Sequence, residues 1–325
     1  MKVLKRALVI IIIIVAAIYL FISWSLSGRV IFPESSFEKT KKTIENDWSR
    51  SYPEMIGQLP QGVPFEVETF DGLMLKGRYF KGDSTNCAII MAHGWGETWH
   101  GMLKYVPAFD DCNCDFVFYD HRVHGESDGK YATGGINEAK DLLAVTNWVN
   151  RKTGYADDQI GWVGSSWGAA TSIYAGVDDR TMAFIIADAP FQDWYSAVFE
   201  RAIKEYGSGI KIISGGVMQV VNFRTGVDYK EASARNLVAE VDEPFLLIHS
   251  KADSATASFQ SVNIAANMNK DNSRFYHTEF GNDHVRDVLN NTEDIRNIVS
   301  SFLKEFAPQM IEQESDTITI PQVFL

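Results

Sequence analysis

A chain of 325 residues, 46% hydrophobic and 22% charged, can bury a sizeable core and is too apolar for disorder. Its formal net charge of −12 and the absence of a basic stripe exclude an electrostatic nucleic-acid footprint. Cys87, Cys112 and Cys114 are too few for a disulfide scaffold; they allow a single pair and otherwise read as small buried residues beside strands.

The chain opens with MKVLKR, which carries three basic side chains, and then runs through ALVIIIIIVAAIYLFISWSL, residues 7–26, without a charge. Such a run crosses a hydrocarbon core of about 30 Å and exceeds the apolar region of roughly 7–15 residues in a cleaved leader. Residues 1–27 therefore read as an uncleaved signal anchor, a cleaved signal peptide being the rival. Lys2, Lys5 and Arg6 favour a cytoplasmic N-terminus and a domain outside the membrane, although Arg29, Lys39, Lys41 and Lys42 follow on the far side. Residues 28–64 are polar and punctuated by Pro and Gly, as in a juxtamembrane stalk or a wrap over the domain.

The domain is expected over 65–308. Two partly alternating runs flank Asp71-Gly72, a two-residue hairpin signal. Apolar runs and amphipathic stretches then take turns: CAIIMAHG as a strand, HGMLKYVPAF as a helix, CDFVFYD as a strand, and a helix ending at Gly154. A strand and helix surround Ser166, and MAFIIADAP is a further strand. This rhythm predicts an α/β fold with a mostly parallel central sheet and helices on both faces. Residues 191–241 break it with an aromatic-rich, helix-leaning insertion too long for an ordinary connection, read as a lid or as packing helices. The rhythm resumes with PFLLIHSKAD, a helix, RFYHTEF, the loop GNDHVRDV and a final amphipathic helix. A polar tail covers 309–325.

The stretch IGWVGSSWGAATSIYAG places G-x-S-x-G between a buried strand and a helix of small residues. A serine hydroxyl needs that setting to stand exposed on a sharp turn, and Ser166 rather than Ser165 occupies the nucleophile position. Serine is a poor nucleophile without a base that is itself held by a third group. His284, in a loop after a strand, is the candidate base. His277 lies within a strand, His249 at a strand end beside the candidate acid, and His100 at a helix start with no assigned role. Asp253 is the favoured carboxylate, with Asp188 as the alternative and Asp283 too close to His284 to orient it. The order Ser166, Asp253, His284 differs from that of the chymotrypsin and subtilisin types. Oxyanion donors are expected from the backbone N–H groups of Trp95, in HGWGET, and Trp167, with His93 shaping the first of these turns.

Taken together, MAHGWGET, YDHRVHGESDG, VGSSWGAA, LIHSKADSATA and GNDHV resemble, in order and spacing, the motifs of α/β-hydrolase-fold serine hydrolases. The nearest resemblance is to membrane-anchored bacterial members, similar to the bile acid-CoA:amino acid acyltransferase and dienelactone-hydrolase-like branches. It spans residues 65 to about 307. Val123 departs from it, standing where such loops usually carry Gly, and HSKADSATA lacks the usual Asp-Asp and following Pro. The resemblance implies a serine hydrolase, an esterase first of all, that attacks a carboxylic ester, thioester or amide of a small or lipid-like acyl substrate through an acyl-enzyme. Acyltransferase, peptidase and a non-catalytic membrane-tethered binding domain are the alternatives. It makes Asp120, His121, His124 and Asp128 a structured loop rather than a metal cluster. No ligand spacing points to a metal and no phosphate-binding glycine motif to a nucleotide, so no cofactor is expected.

Overall fold

The structure, a computed structural model, describes residues 2–178 and 180–311. Eight strands form one sheet: β1 (Val63–Glu68), β2 (Met74–Phe80), β3 (Ala88–Ala92), β4 (Asp115–Tyr119), β5 (Ile160–Ser165), β6 (Phe184–Asp188), β7 (Phe245–Ser250) and β8 (Ser273–Thr278). Their order is β1-β2-β4-β3-β5-β6-β7-β8. β1 pairs antiparallel with β2, and β2 with β4; every later pairing is parallel.

Burial explains the strand composition. β3, β5, β6 and β7 are buried at every position, as the continuous apolar runs require when both faces are covered, whereas edge strand β1 alternates. Along β3, Ile90 and Ala92 join one core while Ile89 and Met91 join the other, because successive side chains point to opposite faces. Strand order reverses at β3, with β4 on one side and β5 on the other. Crevices outside the carboxyl ends of strands form at such a reversal.

Six longer helices matter for the site: α1 (Lys2–Ile31), α2 (Ile136–Thr153), α3 (Trp167–Ala175), α4 (Trp194–Tyr206), α5 (Lys211–Thr225) and α6 (Thr292–Phe306). Among the described residues, α1 is the helix long and apolar enough to cross a membrane. The segment read as ending at residue 27 stays helical to Ile31, and Phe32 N–H still donates to Gly28 O at 3.0 Å before Pro33 prevents continuation. Ser23, Ser27 and Ile31 are buried. The region 28–64 is not a free stalk. Short helical turns carry Ile44, Trp48 and Met55 into the second core. The stretch 191–241 holds α4, α5 and further short turns. Of the tail read as 309–325, residues 312–325 lie outside the described residues.

Cys87 and Cys114 form a disulfide beside the starts of β3 and β4, with Cα atoms 4.7 Å apart, and Cys112 remains a free thiol.

Candidate active site

The site is built where β5 meets α3. Ser166 stands between them at φ 54°, ψ −107°, a backbone conformation that L side chains rarely adopt. Its N–H donates to Asp188 O at 2.8 Å, which locks the turn to the end of β6. The glycines on either side of it are steric requirements. A Cβ on Gly168 would overlap Ala92 O, and one on Gly164 would overlap the backbone at Gly168 and Ala169. The G-x-S-x-G spacing therefore lets strand and helix approach closely enough to lift the serine above the sheet.

The loops after β7 and β8 bring the other two groups to it. His284 Nε2 lies 2.8 Å from Ser166 Oγ, and His284 Nδ1 lies 2.6 Å from Asp253 Oδ2. A carboxylate accepts, so Nδ1 carries the proton and Nε2 is left to accept from the serine hydroxyl. Asp253 Oδ1 accepts the N–H groups of Ala255 and Thr256, each at 2.8 Å. Burial alone would raise this carboxyl. Hydrogen bonds from His249 and His284 outweigh it and hold Asp253 well below the usual carboxylate range.

Asp283 is not on the histidine ring. It accepts the Ser254 N–H at 2.7 Å, the Ser254 hydroxyl at 3.0 Å and the His284 N–H at 2.8 Å, so it staples the acid loop to the histidine loop. Asp188, the alternative acid, accepts the Tyr105 hydroxyl at 2.5 Å, and the hydrogen bonds of His284 run to Asp253 and Ser166. Burial pushes Asp188 up despite that bond.

The remaining histidines have local partners. His93 Nδ1 lies 2.8 Å from Gly94 O while its Nε2 accepts the His121 N–H at 3.0 Å; burial pushes this ring down to about 4. It thereby shapes the turn that presents Trp95. His100 stacks on Trp99, and His277 stacks on Phe275 along β8. In the loop after β4, Asp120 accepts the N–H groups of Trp99 and Glu126, and the rings of His121 and His124 pack edge to face with His93. Arg122 ties that loop to Asp141 on α2 and Asp71 in the hairpin. Among the described residues no cluster could hold a metal ion.

Sequence reasoning missed two features. His249 is fully buried, with Nε2 3.0 Å from Asp253 Oδ2 and 3.1 Å from Thr256 O, and Nδ1 2.6 Å from Ser261 Oγ. Two acceptors at Nε2 require a proton there, so this ring is a second donor to Asp253. The i, i+4 spacing was the available signal, but a strand end followed by a loop does not dictate that contact. The second feature is the share that α1 takes in the cavity wall. Ser166, His284, Trp95 and Trp167 open into a space of about 600 Å³, walled by Trp194, Tyr195, Phe199 and Val217 of α4, α5 and their surroundings, and also by Leu26 and Val30 of α1. The Trp95 and Trp167 rings are 4.7 Å apart at its floor.

Residues 115–211 match the X-Pro dipeptidyl-peptidase (S15) family. The uncharacterized protein YqkD of Bacillus subtilis (strain 168) is 30% identical over 233 residues, which cover 70% of this chain and 74% of that protein. Among solved structures, the Pyrococcus furiosus esterase Pf2001 superposes with a TM-score of 0.63 at 21% identity, covering 79% of this chain and 95% of the esterase. The α/β hydrolase GrgF from Penicillium sp. sh18 superposes with a TM-score of 0.60 at 20% identity, covering 76% and 99%. These structural likenesses are of fold.

Proposed function

Because this chain belongs to the same family as YqkD and has the α/β-hydrolase fold, we propose that it is a membrane-anchored serine hydrolase that cleaves carboxylic esters. The observation that carries the reading is the unbroken line Ser166 Oγ, His284, Asp253, with links of 2.8 and 2.6 Å.

In this reading the Ser166 hydroxyl gives its proton to His284 Nε2 as Oγ bonds to the ester carbonyl carbon. The carbonyl π pair moves onto oxygen, where the N–H groups of Trp95 and Trp167 meet it. Trp167 begins α3, and the first N–H groups of a helix have no intrahelical acceptor. Collapse breaks the carbon–alkoxy bond, and the departing alkoxide takes the proton from His284. Water then gives a proton to His284 and attacks the acyl group, releasing the carboxylic acid and regenerating Ser166. Asp253, ionised, stabilises the imidazolium and fixes its tautomer. The Trp194, Tyr195 and Phe199 wall suits an apolar acyl group better than a charged one.

Anchoring through α1 with the domain outside is supported by Lys2, Lys5 and Arg6 at its start and by the Cys87–Cys114 bond, since disulfides persist in oxidising compartments. The test is hydrolysis of p-nitrophenyl butyrate and octanoate by the full chain in detergent. Ser166→Ala and His284→Ala are each expected to lower kcat by about 10⁴ or more. A parent that is folded and inactive on both esters refutes the reading.

A further inference from the structure

The chamber at Ser166 reaches α1. Leu26, Arg29, Val30 and Phe32, from the last turns of α1 and just beyond, form part of its wall. An open groove of about 900 Å³ lies alongside, bounded by Tyr19, Leu20 and Trp24 of α1 and by Ile212, Gly215 and Phe223 of α5. Tyr195 and Ser214 line both spaces, with their hydroxyl oxygens 3.2 Å apart at the boundary.

Three observations place that groove in lipid rather than water. Ile212 and Phe223 are 83% and 81% exposed on α5, next to the exposed Leu20 and Trp24 of α1. Apolar surface costs about 25 cal/mol per Å² against water and nothing comparable against acyl chains. The groove is also fixed relative to the span. A Cβ on Gly216 would stand 2.5 Å from the Tyr19 ring, so α5 rides directly on α1, and Arg224 bonds Ser27 Oγ at 2.8 Å while lying over the Trp24 ring. Depth follows from the helix rise. Tyr19 to Trp24 precede Leu26, the last residue of the apolar run, by roughly 3–10 Å along the axis. With the N-terminus cytoplasmic, that level is the outer edge of the hydrocarbon, close to lipid ester groups.

Resting on the hydrolase reading above, we infer that the substrate is an ester-linked acyl lipid of the surrounding leaflet. Its acyl chain passes from the bilayer along the α1–α5 groove and past Tyr195 and Ser214, and its carbonyl is presented at Ser166. The anchor is then part of the substrate path as well as a tether.

The experiment uses the full chain in phosphatidylglycerol vesicles, with p-nitrophenyl acetate as the water-soluble comparison. Gly215 borders the groove, and a Cβ there meets nothing within 4 Å, so Gly215→Trp sets a bulky ring at the groove from an unobstructed Cβ. The ratio of phosphatidylglycerol to acetate hydrolysis is expected to fall about tenfold or more in Gly215→Trp. An unchanged ratio overturns the path. Independently of turnover, Ser166→Ala protein is irradiated in vesicles containing a phospholipid with a diazirine at its acyl terminus. Adducts on Tyr195, Val198 or Met218 are expected, and adducts confined to residues 7–18 of α1, outside the groove, overturn the inference. Loss of acetate hydrolysis in Ser166→Ala tests the hydrolase reading separately, so the two failures are distinguishable.

Discussion

Replacing Ser166 by glycine and by alanine separates backbone strain from chemistry. Both variants lose the hydroxyl and its 2.8 Å bond to His284, so that loss cancels between them. Only alanine keeps a Cβ at φ 54°, ψ −107°. Strain at such a residue is about 1–3 kcal/mol, and glycine returns about 0.5–1 kcal/mol of it through the entropy of the unfolded chain. The net difference is about 1 kcal/mol in favour of Ser166→Gly, or roughly 2–4 °C in Tm for a domain of this size. Thermal unfolding of both proteins, followed by circular dichroism at one scan rate, reads it directly, and both are expected to be inactive. If Ser166→Gly melts at or below Ser166→Ala, the turn is not strained and the structural argument for an exposed nucleophile fails.

Val123 holds φ 67°, an unfavourable conformation for a β-branched residue, so Val123→Gly is expected to raise stability by about 1 kcal/mol in the same melt. His249→Phe keeps the ring volume but removes a donor from Asp253. A hydrogen bond to a charged group is worth about 1.5–3 kcal/mol, so ester kcat/KM is expected to fall roughly tenfold to a hundredfold. The Asp253 carboxyl itself should titrate higher in this variant, read by its carboxyl-carbon NMR shift against pH, as it loses part of what holds it down. Glu243 is buried, with Oε2 unpartnered, and burial pushes its carboxyl up to about 7. The folded state therefore holds that proton more tightly than the unfolded chain. Its stability contribution is complete below the unfolded value near 4.3 and is lost as pH rises through about 7, at roughly 1 kcal/mol per pH unit. Urea titrations at pH 5, 6 and 7 should show a slope shallower by this amount in Glu243→Gln than in the parent, the remainder coming from the buried Asp120 and Asp141, which burial also raises to about 7.

Ser166 was legible because its neighbours must be small: Gly164 and Gly168 meet backbone atoms, and steric demands of that kind leave a local pattern. The buried strands were legible for a related reason, since coverage on both faces writes an unbroken apolar run into β3, β5 and β7. Asp188 ends β6 and Asp253 follows the end of β7, and chain order alone ranks them weakly. What separates them is the Tyr105 hydroxyl, 83 positions away, which occupies Asp188. His249 shows the limit of spacing, because its reach to Asp253 depends on how the 251–256 loop folds back. Least legible was the role of α1. Hydropathy treats residues 7–26 uniformly and cannot show that one narrow face, at Ser23 and Ser27, is shaped for Gly216 and Arg224. The helix outran the predicted boundary because Pro33, not the first charge at Arg29, ends it.

Labelling of the full chain with a fluorophosphonate, followed by peptide mass spectrometry, bears most directly on the proposed chemistry, because the reagent marks only serines activated by a neighbouring base. The adduct is expected on Ser166, absent from Ser166→Ala and strongly reduced in His284→Ala. A folded parent left unlabelled, or labelled at another serine, would contradict the assignment of Ser166, His284 and Asp253 as the catalytic groups.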